Sequence, residues 1–272
     1  IVYGNIINTT AGFLLASKGD VDFLLMFWAL AGTALIIASA CVFNNYIDRE
    51  IDSKMVRTKN RALAAGNISP QSAMIYSGFL GLAGFLILAL YTNWLTVGLG
   101  LLAYLIYIVV YGIAKRRSVY GTLVGSVAGA LPPVAGYTAV TNQLNLGAGL
   151  IFLILVTWQM PHFYAIAIYR YKDYKAARLP VWPVKKGISA TKRQILIYIV
   201  LFLAATSMLT LFGYTGVAYL LIMVPISLIW LWLALIGYRN VDDALWAKQC
   251  FKFSLIVILS LSVMMSFGGL LP

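Results

Sequence analysis

Nine apolar runs follow one another along the chain, near residues 2–17, 22–43, 71–90, 94–113, 120–140, 147–168, 194–213, 217–237 and 251–271. They are continuous rather than alternating, so they read as helices and not as strands of a barrel. About 20 such residues cross the hydrocarbon of a bilayer, where the backbone must satisfy its own hydrogen bonds. The expected fold is an all-α, polytopic membrane helix bundle of about nine transmembrane helices, forming a single domain over residues 1–272.

Composition agrees with that pattern. Hydrophobic residues make up 62% of the chain and charged residues only 10%, where soluble domains carry about 25%. The net charge of +12 would raise nucleic acid as a partner for a soluble protein; here the excess of cations on the inner side of membrane proteins accounts for it, and no nucleic acid is expected. The two cysteines, Cys41 and Cys250, form no CxxC pair or Cys/His cluster, so a structural zinc site is not indicated. The chain begins at Ile1 rather than Met. Residues are expected to precede it, and no cleavable signal peptide is evident.

Charge is one-sided. The connections 44–70, 114–119 and 169–193, with the last connection and its edge near 239–252, hold 19 of the 20 Lys and Arg residues; the intervening turns hold only Lys18. This alternation places the basic side, and with it the N-terminus, in the cytoplasm. The two longest connections, 44–70 and 169–193, lie on that side, where loops over a rigid bundle carry function. Each contains an acidic segment, basic residues, a Gly-containing turn and an Ile-Ser pair at a helix restart. Ser69, with Pro70 at the first helical position, and Ser189 are expected N-caps. A duplicated four-helix unit is the corresponding expectation.

The stretch "NNYIDREIDSKMVRTKNR", Asn44 to Arg61, holds three of the eight carboxylates and five of the cations. Asn44, Asp48 and Asp52 are spaced four apart and share a helix face, with Asn45 at its border. Two carboxylates so placed repel each other, and more strongly as the dielectric falls. A cation between them relieves this, and hard oxygen ligands suit Mg²⁺ or Ca²⁺ completed by phosphate oxygens. Arg57 and Arg61, again four apart, are candidates for the phosphate. In the second long loop, "YRYKDYKAARLP" places Asp173 between Arg170 and Lys172. The plain alternative is a solvated face of ion pairs such as Arg49, Glu50 and Lys54.

"NNYIDREID" resembles the first acidic motif of the UbiA-type intramembrane prenyltransferases, N-D-x-x-D-x-x-x-D, with Asn45 at its first acid. Their second motif, D-x-x-x-D, is matched by Asp173 but carries Ala177 at its second acid. With "RTKNRALAAGNISP", "KRRSVYGTLVGSVAGALPPVAGY" and "WQMPHFYAIAIYRYKDY", the chain resembles the heme O synthase branch of that family over nearly its whole length. The resemblance implies a Mg²⁺-dependent enzyme that joins the farnesyl group of farnesyl diphosphate to a vinyl group of heme b, with addition of water. It implies a bacterial inner membrane location, a cytoplasmic active site, and heme-copper oxidase assembly factors as possible partners.

Residue by residue, it assigns Asp48, Asp52 and Asp173 to Mg²⁺, assisted by Asn44 and Asn45. Arg57, Arg61, Lys115, Arg116 and Lys172 are assigned to the diphosphate, whose leaving charge they would neutralise. Tyr104, Tyr107 and Tyr111, at i, i+3 and i+7, would line a cavity that excludes water and stabilises an allylic cation; interfacial tyrosines are the ordinary alternative. Pro132 and Pro133 are expected to break their helix and line a groove for the prenyl tail. His162, the only histidine, follows Pro161, where a kink is expected. It is a candidate heme-iron ligand or proton donor, or a hydrogen-bonded structural residue. The competing functions are prenylation of an aromatic quinone precursor, transport of an anionic solute, and a heme-binding assembly role without catalysis.

Overall fold

A computed structural model describes residues 1–239 and 242–270; Leu271, the end of the ninth expected span, lies outside the described residues. The elements are α1 (Val2–Ser17), α2 (Phe23–Asp52), α3 (Pro70–Tyr91), α4 (Trp94–Leu105), a π-helical segment (Ile106–Tyr111), α5 (Gly112–Arg117), α6 (Gly121–Thr141), α7 (Leu146–Tyr169), α8 (Tyr171–Ala176), α9 (Trp182–Lys186), α10 (Ile188–Leu211), α11 (Val217–Ile236) and α12 (Asp243–Phe267). Taking α4 through α5 as one rod, eight helices among the described residues are long and apolar enough to cross a membrane. The first run forms α1, whose 16 residues extend about 24 Å at about 1.5 Å per residue. That is short of a full span.

Consecutive rods lie side by side, and α12 returns to α1, closing a ring; α6 reaches across it to α1, and α7 to α12. Rods consecutive in the chain run in opposite directions, while α1 and α12, which close the ring, run the same way, with Asn8 beside Ser262 and Gly19 beside Leu270. At one end Arg116 of α5 meets the Ile47 carbonyl of α2 at 2.6 Å, and Tyr120 packs edge-on to Trp182. At the other end Asn93 donates to the Thr138 carbonyl at 2.8 Å, and the Gly216 amide meets the Gly268 carbonyl at 2.8 Å. The four cation-rich connections thus gather on one face of the ring.

Local chemistry sets the helix ends. Asp22, Ser69, Asn93, Asn145 and Asp242 each accept hydrogen bonds from the first turn of α2, α3, α4, α7 and α12, caps worth about 1 kcal/mol each. Ser69 with Pro70 matches the sequence expectation. Ser189 does not cap: Gly187, at φ 87°, reverses the chain, and α10 starts at Ile188 before Ser189 is reached. Likewise α12 begins at Asp243, eight residues before the apolar run, because Asp242 caps it there.

The prolines do not break their helices. Pro132 and Pro133 lie inside a continuous α6, and Pro161 inside a continuous α7. All three are buried, where neighbouring helices and local adjustment can satisfy the backbone groups freed by the missing amides. The small residues of α6 serve close approach instead. A Cβ on Gly12 of α1 would lie 2.1 Å from the Pro133 carbonyl oxygen, and one on Gly136 would lie 2.2 Å from that of Thr9. These glycines let the two backbones touch.

Candidate active site

The first half of the polar island is helical, and residues 53–61 are turns. Helix α2 continues to Asp52, so Asn44, Asp48 and Asp52 do share one face. Asp48 and Asp52 are buried, at 9% and 5% exposure. Buried carboxylates need partners, since a lone buried charge is far costlier than a paired one.

Asp48 draws its cations from a distant helix, and Asp52 draws its own from the loop that follows α2. Lys115 of α5 places Nζ 2.5 Å from Asp48 Oδ2 and 2.6 Å from Asn44 Oδ1. Arg116 Nη2 lies 3.1 Å from Asp48 Oδ1. Asn44 Nδ2 donates to Asp48 Oδ2 at 2.9 Å. Arg61 Nη1 spans Asp52 Oδ2 at 2.8 Å and Asn45 Oδ1 at 3.1 Å. Arg57 makes no ion pair among the described residues. Two carboxylates therefore meet three cations, Arg61, Lys115 and Arg116, and Arg57 adds a fourth positive charge on the chamber lining. The mouth carries a surplus of positive charge and attracts an anion.

Below the mouth opens a chamber of about 630 Å³. Its charged end is formed by Asn44, Asp48, Asp52, Arg57, Arg61 and Lys115. Its walls include Tyr104, Tyr107, Tyr111, Pro132, Leu155, Trp158, Gln159 and His162. Tyr107 and Tyr111 stack at 5.5 Å, and Lys115 Nζ lies 5.1 Å from the Tyr111 ring. Tyr104 Oη contacts Ser39 Oγ at 3.2 Å. The three tyrosines form the expected stripe, but Tyr107 and Tyr111 stand on a π-helical segment, a local widening frequent at functional sites. The run "IYIVVY" gives no sign of it.

The second long loop contributes differently from expectation. Tyr174, not Asp173, lines the chamber. Burial pushes the Tyr174 phenol up, while Arg57 beside it pulls the other way. Asp173 keeps its Oδ2 sealed from solvent with no hydrogen-bond partner. Lys172 is exposed and away from the chamber wall. Asn45 and Arg116 are also off the wall, Asn45 bracing Arg61 and Arg116 gripping Asp48 and the Ile47 carbonyl. Among the described residues no three acidic, His or Cys side chains converge as a metal cage. The expected triad of Asp48, Asp52 and Asp173 is therefore not assembled from protein alone, because Lys115, Arg116 and Arg61 occupy the first two carboxylates.

Deeper in the chamber, His162 is pinned on several sides. Its ring stacks on Trp158 at 4.7 Å and meets Phe163 and Phe251 at 5.1 Å each. Nδ1 lies 2.7 Å from Ser254 Oγ. Trp158 Nε1 donates to the Ser254 carbonyl at 2.9 Å, fixing that turn of α12. Gln159, one turn before His162 on α7, donates Nε2 to the Ser126 and Leu155 carbonyls at 3.1 Å each. Sequence reasoning passed over Gln159, Tyr174 and Ser254. A polar residue inside a span flags Gln159; nothing local flags Ser254, 92 residues from His162.

Similarity to known proteins agrees with this geometry. The chain is 52% identical over 273 residues to a protoheme IX farnesyltransferase of Klebsiella pneumoniae, covering 100% of this chain and 92% of the relative. It is 54% identical over 267 residues to the Yersinia pseudotuberculosis protein of the same name, covering 98% and 90%. Its fold matches that of a UbiA homolog from Archaeoglobus fulgidus bound to DMAPP and Mg²⁺, with a TM-score of 0.70, 16% identity, and 97% and 96% of the two chains covered. The model of the UbiA prenyltransferase family matches residues 5–256. This multi-pass membrane chain, with its cation-ringed carboxylates above an aromatic chamber, belongs to the UbiA prenyltransferase family.

Proposed function

We propose that the protein transfers the farnesyl group of farnesyl diphosphate to a vinyl group of heme b, with addition of water and release of diphosphate. The observation that carries this reading is the chamber itself. One continuous cavity joins a positively charged mouth to an aromatic interior. A prenyl diphosphate has the same two ends. The name shared by relatives more than half identical over the whole chain selects the heme acceptor over a quinone precursor. The transporter reading wants its polar groups at mid-membrane, whereas the carboxylates and cations here collect at one end of the rods.

The residues derive the chemistry in order. Arg57, Arg61 and Lys115 bind the diphosphate and stabilise the charge that grows on it as the allylic C–O bond breaks. Side chains already held in place do this without reorganising. Tyr107 and Tyr111 offer ring faces to the allylic cation. The apolar walls keep bulk water from the cation before it reaches the vinyl carbon.

The donor set fits Mg²⁺ shared with the substrate. Asp52 Oδ1 takes no hydrogen bond among the described residues, and the unpartnered buried Asp173 Oδ2 is an energetic cost that a cation would remove. Asp48, Asp52 and Asp173 would hold the ion, with phosphate oxygens completing a shell that the protein alone does not close. When bound, Mg²⁺ supplies further neutralisation of the leaving diphosphate. The proposed setting is the bacterial inner membrane with the charged mouth toward the cytoplasm, the chain acting as one domain and supplying heme-copper oxidase assembly.

Incubation of the purified protein with heme b, farnesyl diphosphate and Mg²⁺ tests the reading. A heme heavier by a farnesyl group and one water supports it. Prenylation of an aromatic acid but not of heme, or uptake of labelled diphosphate into liposomes without product, would replace it.

A further inference from the structure

We propose that Gln159 and His162 together hold the water molecule that is added to the heme side chain, and that Ser254 sets His162 for that task. The inference rests on the farnesyl-transfer reading and adds a water subsite with a positioning residue.

The assignment follows from donor and acceptor accounting. Ser254 Oγ lies 2.6 Å from the Phe251 carbonyl oxygen. A carbonyl only accepts, so the single hydroxyl proton of Ser254 points there. Toward His162, at 2.7 Å, the same oxygen must then accept. Nδ1 of His162 therefore carries the proton, and in the neutral ring Nε2 bears the lone pair. Among the described residues no hydrogen bond is made by Nε2. The proton-donor role expected for His162 is thus not the one this neutral tautomer offers. The same logic orients Gln159. Both partners of its Nε2 are carbonyls, of Ser126 and Leu155, so the amide cannot be turned over. Its Oε1 is left as an acceptor.

Both side chains line the chamber, and at i, i+3 they share a face of α7. Two acceptors on one face of the chamber wall match a molecule with two donors, which is water. Ligation of the heme iron would use His162 but gives Gln159 no role, so the pair favours water.

The step balances. Diphosphate leaves with the electron pair of its C–O bond, and farnesyl C1 bonds to the terminal vinyl carbon. Positive charge moves to the carbon attached to the porphyrin. The water oxygen gives a lone pair to that carbon, one O–H bond breaks, and the proton passes to Nε2 of His162 and then to the released diphosphate. Where water is not held, the same cation loses a proton from the neighbouring CH₂ and yields an alkene lighter by one water.

The experiment reads the ratio of hydroxylated to dehydrated farnesyl heme by mass spectrometry, with wild type and the variants His162→Ala, Gln159→Leu, Ser254→Ala and Ser254→Thr in detergent. Each of the first three is expected to shift the ratio toward the alkene by on the order of tenfold or more, with about 10²–10⁴-fold the full effect of a lost general base. Ser254→Thr, which keeps the hydroxyl, restores the wild-type ratio. A merely structural role lowers total product and leaves the ratio fixed, and that result overturns the proposal. So does a heme absorbance shift in His162→Ala with an unchanged ratio, which marks His162 as an iron ligand. No farnesylated heme from the wild type overturns the function reading, and the water subsite falls with it.

Discussion

Lys115 Nζ lies 2.5 Å from Asp48 Oδ2, although 67 residues separate the two in the chain. Both side chains are nearly buried, each 12% exposed. The contact joins the rod that carries the chamber tyrosines to the helix that carries the acidic face, so one ion pair both braces the bundle and primes the mouth.

Lys115→Met tests the two roles together. Breaking a buried pair costs about 3–5 kcal/mol, and the low end applies because Arg116 and Asn44 still hold Asp48. A stability loss of about 3 kcal/mol is expected as a lower thermal midpoint in detergent. The loss of a cation at the leaving group is expected to lower turnover by a factor of about 10²–10³. Lys115→Arg should keep the pair but not the fit, since a guanidinium is planar and larger, and should recover stability more than rate.

Asp48→Asn and Asp52→Asn separate the pairing role of the carboxylates from the metal role proposed for them. Each removes a charge yet keeps the shape. Turnover in each is expected to fall at least about 100-fold and to need much more Mg²⁺ for half-maximal rate, because hard anionic oxygens are what hold that ion. Chelation of divalent ions should abolish wild-type turnover, and added Mg²⁺ should restore it. Wild-type activity in the double variant would remove both residues from the site.

Asp173→Asn is expected to behave unlike either. Its Oδ2 has no protein partner, so the substitution breaks no ion pair and the thermal midpoint should hold or rise. The Mg²⁺ requirement should rise as it does for Asp48→Asn. Equal Mg²⁺ dependence in wild type and Asp173→Asn would exclude Asp173 from the ion. In that case Tyr174, which does line the chamber, is the contribution of this loop to the site.

Much of this arrangement was legible in the chain because a bilayer imposes so few options. Long apolar runs must be helices, and the basic connections at every second turn group the functional loops on one face. Helix ends were read less well. The starts of α10 and α12 lie in polar sequence, where Gly187 and Asp242 decide the boundary and hydropathy does not. The spacing of Asn44, Asp48 and Asp52 was legible as a face, since it depends only on helix geometry. Their partners were legible as a class of residue but not as pairs. That Lys115 takes Asp48 depends on how whole rods meet, and that Arg61 takes Asp52 depends on how the loop after α2 folds back on its end. Ser254 lies beyond such reading altogether, because nothing near it in sequence distinguishes it from any other serine in a span.

The crossing of α1 and α6 gives the last prediction. Gly12 faces the Pro133 carbonyl and Gly136 faces the Thr9 carbonyl, with 2.1 Å and 2.2 Å available for a Cβ. Neither obstacle is the end of a flexible side chain; both are backbone oxygens, so an added methyl must push two helices apart. Overpacking of this kind costs about 1–3 kcal/mol. Gly12→Ala and Gly136→Ala are each expected to lower the thermal midpoint. Both substitutions relieve themselves by the same separation of α1 from α6, so the double variant should cost less than the two single costs combined. Gly4, where an added Cβ meets nothing within 4 Å, is the control on the same helix, and Gly4→Ala should leave the midpoint unchanged or raise it through helix propensity. An effect at Gly4 as large as at Gly12 would mean that glycine matters in α1 for its backbone freedom and not for the approach of α6.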